Sequence, residues 1–174
     1  MKRLLPALLC CLAAASCAPV VGTGAPLALP ADLVDSARVT TVIMSSDWLD
    51  AESDFAETFS EEVAEELGMC ASGDYPLQLR VHVSAMERAD RLGPFPGVPN
   101  RHSIRATAEL VDPARNGLVV GRYPVQVETP ASSGPLVLVA DRQMMVSEAF
   151  GRALCHAAFD HNPRRVGPHN ATRD

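Results

Sequence analysis

Leu77, Leu79, Val81, Val83 and Ala85 alternate with Gln78, Arg80, His82, Ser84 and Met86. A strict period of two over this length reads as a β-strand with one face buried and the other wet. The chain is therefore committed to a sheet covered on one side. The rest of the sequence has to supply its neighbours and its cover.

The neighbours are legible. Arg38 to Met44 is β-branched and reads as a first strand. Ile104, Ala106, Ala108 and Leu110 alternate with Arg105, Thr107 and Glu109, giving a third. Asp112 to Gly117 is rich in turn formers and reads as a hairpin loop. The fourth strand places Val119, Tyr123, Val125 and Val127 on one face. Pro124 removes a ladder donor from it, which marks an edge strand.

The cover is helical. Phe55, Phe59, Val63 and Leu67 recur four apart with Ala56 and Ala64 beside them, after a cap at Asp50 or Ser53. Gly68 stands where a C-terminal cap is expected. A second helix begins between Pro135 and Asp141. It buries Val139, Val146, Phe150, Ala153, Leu154 and Ala157 and ends at Phe159.

The order β-α-β-β-β-α predicts an α+β fold in two layers: a four-stranded, mostly antiparallel sheet with two helices on one face. One domain over residues 36–160 accounts for it. A right-handed crossover makes the first two strands parallel and sends both helices the same way. Their C-terminal ends then lie together. Cys70 follows the first helix and Cys155 sits in the last turns of the second, so a Cys70–Cys155 disulfide is geometrically open to them. The other reading is two buried thiols packed as small hydrophobes.

The N-terminus is a different kind of sequence. Lys2 and Arg3 precede a short apolar run, Leu4 to Leu12, and small residues Ala13 to Ser16 lead to Cys17. This is the layout of a secretory signal, and the run is far short of the ~20 residues a membrane span needs. The Ala-Ser-Cys ending resembles the lipobox of bacterial lipoproteins, although Ala14 stands where that family usually has Leu. The resemblance implies cleavage after residues 1–16 and covalent lipid on Cys17, with no other cofactor. Several acyl chains give stable anchoring. Ala18 after the cysteine, by the same analogy, points to the outer membrane with the domain facing the periplasm. Residues 17–35 carry prolines and glycines and read as a linker. Ala18 to Ala31 would reach about 40 Å at ~3.1 Å per residue; the alternative is that Val20 and Val21, or Leu27 and Leu29, pack on the domain edge.

Charge excludes some classes. Of 15 Lys plus Arg, Lys2 and Arg3 leave with the signal, so 13 arginines face 21 Asp plus Glu, a net of −8. Nucleic acid needs a basic footprint, so no nucleic-acid partner is expected. A polybasic membrane patch is excluded on the same ground.

A lipobox, a Pro-rich tether and this element order resemble the small α+β envelope lipoproteins of Gram-negative bacteria, among them auxiliary lipoproteins of transport systems. The stretch from Ala106-Glu109-Leu110-Val111-Asp112 to Asn116-Gly117-Leu118-Val119-Val120 is similar to their hairpin. The resemblance implies the fold more than an activity.

Three features are candidate contact sites. Phe95, between Pro94 and Pro96, lies in an unusually long connection from Glu87 to His102 and is a rigid apolar group of the kind a protein partner uses. Glu57, Glu61, Glu62, Glu65 and Glu66 form an acidic ridge, which is most simply a solvated face. Arg80, Arg105 and Arg122 lie on the open sheet face and are candidate ligands for an anionic glycan or headgroup, although mixed charge there also describes plain solvation. Cys155, His156, His161 and His169 match no zinc spacing, so no metal is expected. No catalytic motif is present, and residues 161–174 read as a disordered tail. The expectation is a membrane-anchored periplasmic lipoprotein, not an enzyme, serving as accessory to an envelope protein partner. The alternative is a small-ligand or glycan-binding lipoprotein. A concave basic pocket around the three arginines would favour the alternative, and a flat, ion-paired face would count against it.

Overall fold

The computed structural model describes residues 24–47, 53–87, 101–130 and 139–159. Within them run α1 (Ala31–Ser36), β1 (Ala37–Ser46), α2 (Ser53–Cys70), β2 (Tyr75–Glu87), β3 (Arg101–Asp112), β4 (Leu118–Pro130) and α3 (Val139–Phe159). The strands lie in the order β1-β2-β3-β4, with β1 parallel to β2 and the other pairs antiparallel. This is the expected α+β sheet. α2 packs on β1 and on α3, while α3 packs on β3 and β4.

The alternation that commits the chain to a sheet holds from Leu77 to Val83; the register then slips between Val83 and Ala85, so that Met86, not Ala85, stands opposite core Ile104 and packs on the core. Leu77, Leu79, Val81 and Val83 have no exposed surface. Their partners Ile104, Ala106, Ala108 and Leu110 are buried beside them. Above them, Phe55 and Phe59 on α2 and Phe150 on α3 make a tilted aromatic stack, with centroids 5.8 and 5.1 Å apart. Each such side chain stabilises by about 1.5–3 kcal/mol through burial alone. The helices close tightly at Gly151, where an added Cβ would fall 2.6 Å from Cβ of Glu66.

Cys70 and Cys155 form a disulfide across 85 residues of chain, joining the C-terminal ends of α2 and α3. The parallel run of the two helices brings these ends together.

The structure departs from the sequence reading at three further places, besides Ala157 of α3, which is exposed where Ala158 is buried. Gly68 does not cap α2. The helix runs on to Cys70, and Ala71 N donates to Leu67 O at 2.8 Å. Burial of Leu67, Cys70 and Ala71 outweighs the ~1 kcal/mol that one helical glycine costs. On β4, Val120 is buried while Val119 stays half-exposed. The register slips between Leu110 and Val111, opposite Gly121 and Val119, so Val120 is the extra residue of a bulge.

The third departure concerns the stretch read as linker, which packs from its middle onward. Leu27 and Arg122 exchange both backbone hydrogen bonds, at 2.9 and 2.8 Å, on the outer edge of β4. Leu29 N donates to the Tyr123 hydroxyl at 2.7 Å. α1 then starts on Pro30, and Leu29, Leu33 and Val34 join the core. Six residues are too few for a periodicity signal, although Pro30 followed by Asp32 is a helix-start pattern.

The loop after β3 is a short 3-10 turn, Pro113–Arg115, followed by Asn116 and Gly117 at positive φ of 55° and 77°. Asp112 holds it. Its Oδ1 accepts from Ala114 N at 2.9 Å and Arg115 N at 3.3 Å, and its Oδ2 accepts from the Tyr75 hydroxyl at 2.6 Å. The Tyr75 hydrogen bond leads the causes that hold this carboxyl below its usual range, against the opposing effect of burial.

Candidate functional site

The open sheet face is built by register. Ile43, Arg80, Glu109 and Arg122 stand opposite one another across all four strands. Glu109 therefore has an arginine on each neighbouring strand. Arg122 Nε donates to Glu109 Oε1 at 2.7 Å, and the Glu109 side chain is 2% exposed. Arg122 Nη1 also donates to Ala25 O at 3.2 Å, and the backbone at Gly24 lies so close to the guanidinium that a Cβ there would collide with it. Arg122 thus ties the N-terminal segment to the sheet.

The other two candidate arginines have separate partners. Arg80 Nε donates to Gln78 Oε1 at 3.1 Å on its own strand, and Arg105 Nε to Gln126 Oε1 at 3.3 Å on β4. Arg101 and Glu128 pair at 2.9 Å farther along. Next to β1, His82 Nε2 lies 3.4 Å from Asp47 Oδ1. Arg80 and Arg122 flank Glu109 in the register, and Arg105 stands farther along β3 opposite Gln126. Arg122 is thus ion-paired with Glu109, whereas Arg80 and Arg105 donate to the neutral amides of Gln78 and Gln126.

On the helix side the acidic ridge is partly drawn into the α2–α3 seam. Glu66, 9% exposed, accepts from Arg152 Nη1 at 2.8 Å, and Glu148 pairs with the same nitrogen at 3.3 Å. Cys155 Sγ lies 3.4 Å from Glu66 O. Glu62 has its pKa raised, first by desolvation and then by the charges of Glu148, Glu65, Glu61 and Glu66. Glu66, Met69, Cys70, Arg152, Cys155 and His156 line a shallow, open depression of about 250 Å³ over the disulfide. The sequence spacing of Glu66 and Arg152 carries no hint of their pairing, because it depends on the helix crossing at Gly151.

Cys17, Pro94, Phe95 and Pro96 lie outside the described residues, as do His161 and His169. Among the described residues no three His, Cys, Asp or Glu side chains are grouped to hold a metal, and no helix is long and apolar enough to cross a membrane.

No protein-family model matches the chain, and no curated protein matches it. Among solved structures, the PelC dodecamer from Paraburkholderia phytofirmans is similar at 16% identity and a TM-score of 0.46, over 78% of this chain and 95% of that one. A protein from Caulobacter crescentus CB15, provisionally named a lipoprotein, is similar at 20% identity and a TM-score of 0.32, over 66% and 82%. Likeness at this level does not bear on role.

Proposed function

We propose that this chain is a lipid-anchored envelope protein, held by Cys17 in the outer membrane and facing the periplasm. Its domain is a non-catalytic contact module for an envelope protein partner in transport or assembly. The observation that carries the compartment is the Cys70–Cys155 disulfide. Such bonds persist in oxidising compartments, and the layout of residues 1–17 is an export signal. At Arg122 the engagement by Glu109 and Ala25 favours contact over ligand capture.

The contact we assign is the Pro94-Phe95-Pro96 segment between β2 and β3. The test is crosslinking in intact membranes, with wild type beside Phe95→Ala and a deletion of residues 92–100. One defined envelope protein should be captured by wild type and lost in both variants. Equal capture by all three rules the segment out as the contact.

A further inference from the structure

The structure fixes where the anchor joins the domain. The first described residue, Gly24, lies against the Arg122 guanidinium, Ala25 O accepts from it, and Leu27 is bridged to the outer edge of β4. Gly24 is the seventh residue after Cys17. Seven residues reach at most about 25 Å when fully extended, and a flexible chain of that length has a root-mean-square span of about 15 Å. A domain this size has a radius of gyration of about 14 Å. The mean span of the tether is comparable to the radius of the body it holds, which favours orientations that keep the attachment edge near the lipid.

The surface of that edge suits the position. Leu27 is 43% exposed and Leu118, the first residue of β4, is 52% exposed. The opposite edge of the sheet is β1, three strand spacings away, or about 14 Å. Thr41 is exposed on it.

We propose that the β4 edge, with Leu27 and Leu118 on it, is the face turned to the bilayer surface, and that the β1 edge is turned away from it. This rests on the reading of Cys17 as the anchor. It sets an orientation which that reading alone does not.

The test separates the two claims. The chain from Cys17 onward has one free thiol when Cys70 and Cys155 are bonded. It is coupled through Cys17 to a maleimide headgroup lipid in phosphatidylethanolamine–phosphatidylglycerol vesicles, so that anchoring does not depend on cellular processing. A fluorescent amino acid replaces Leu118 in one sample and Thr41 in another, with the fold checked by circular dichroism. Nitroxide-headgroup lipids then quench the fluorescence. Quenching at position 118 should exceed that at position 41 by roughly threefold, as expected for a tether of this length. Equal quenching, or more at position 41, overturns the orientation. Whether cells lipidate Cys17 is read separately, by mass spectrometry of the membrane-extracted protein, and failure there would strike the anchor reading instead.

Discussion

Arg122 and Glu109 hold one another across the β3–β4 ladder at 2.7 Å, in a pair whose carboxylate is 2% exposed and whose guanidinium side chain is 19% exposed. The same guanidinium reaches Ala25 O, so the arginine of this ion pair also ties the N-terminal segment to the sheet.

Removing one partner should leave the other charge buried and uncompensated. Glu109→Gln or Arg122→Ala is expected to destabilise by about 3 kcal/mol in urea denaturation. The double variant Glu109→Leu, Arg122→Met should lose much less, because no charge is stranded. A double variant as unstable as the sum of the singles would show that the pair is not a coupled unit.

The Cys70–Cys155 bond closes a loop of 85 residues. In the chain-entropy account that is worth about 4 kcal/mol. A Cys70→Ala, Cys155→Ala variant should unfold at correspondingly lower denaturant, and reductant should shift wild type but not the variant. Equal midpoints for the wild type with and without reductant would show that the bond contributes no stability.

Much of this was legible in the sequence, and the reason is period. Leu77 to Val83 and Phe55 to Leu67 repeat at two and at four, and each pattern names a face, whereas Ala85 lies beyond a register slip that the alternation does not reveal. The parallel helices then follow from crossover handedness, and the cysteine pair follows from the helices. What escaped has no period. α1 is six residues long, the bulge at Val120 inserts a single residue, and Gly68 is overruled by buried neighbours that only the tertiary structure supplies. Of the candidate site, Glu109 opposite Arg122 is readable from strand register. For Gly24 to Leu29 the sequence leaves a linker and packing of Leu27 and Leu29 on the domain edge both open, and only the tertiary structure decides for the β4 edge.

Glu62 gives a pH dependence whose sign is fixed by its environment. Burial, and then neighbouring carboxylates, raise its folded pKa above the unfolded value. Its contribution to stability is therefore fully present below the unfolded pKa, near 4.3, and is lost as pH rises through the folded value. Glu62→Gln should raise the melting temperature at pH 7 and leave it unchanged below about pH 4. A gain that persisted unchanged at low pH would mean that charge is not the cause.

Two helical glycines should respond in opposite directions. Gly151→Ala pushes a Cβ against Glu66 where the helices meet, and is expected to destabilise by about 1–2 kcal/mol despite its better helix propensity. Gly68→Ala meets nothing within 4 Å and should stabilise by up to about 1 kcal/mol. Paired thermal melts decide this, and the same sign at both positions would mean that the approach at Gly151 is not tight.

The proposed lipid on Cys17 is what sets membrane attachment and the orientation of the domain. Its most direct measurement is intact-mass and peptide mass spectrometry of the protein extracted from membranes, beside Cys17→Ala. The account predicts a chain beginning at Cys17, heavier by its acyl groups and found in the membrane fraction, with the variant unacylated. An unmodified Cys17, still preceded by residues 1–16 or released into the soluble fraction, would contradict it.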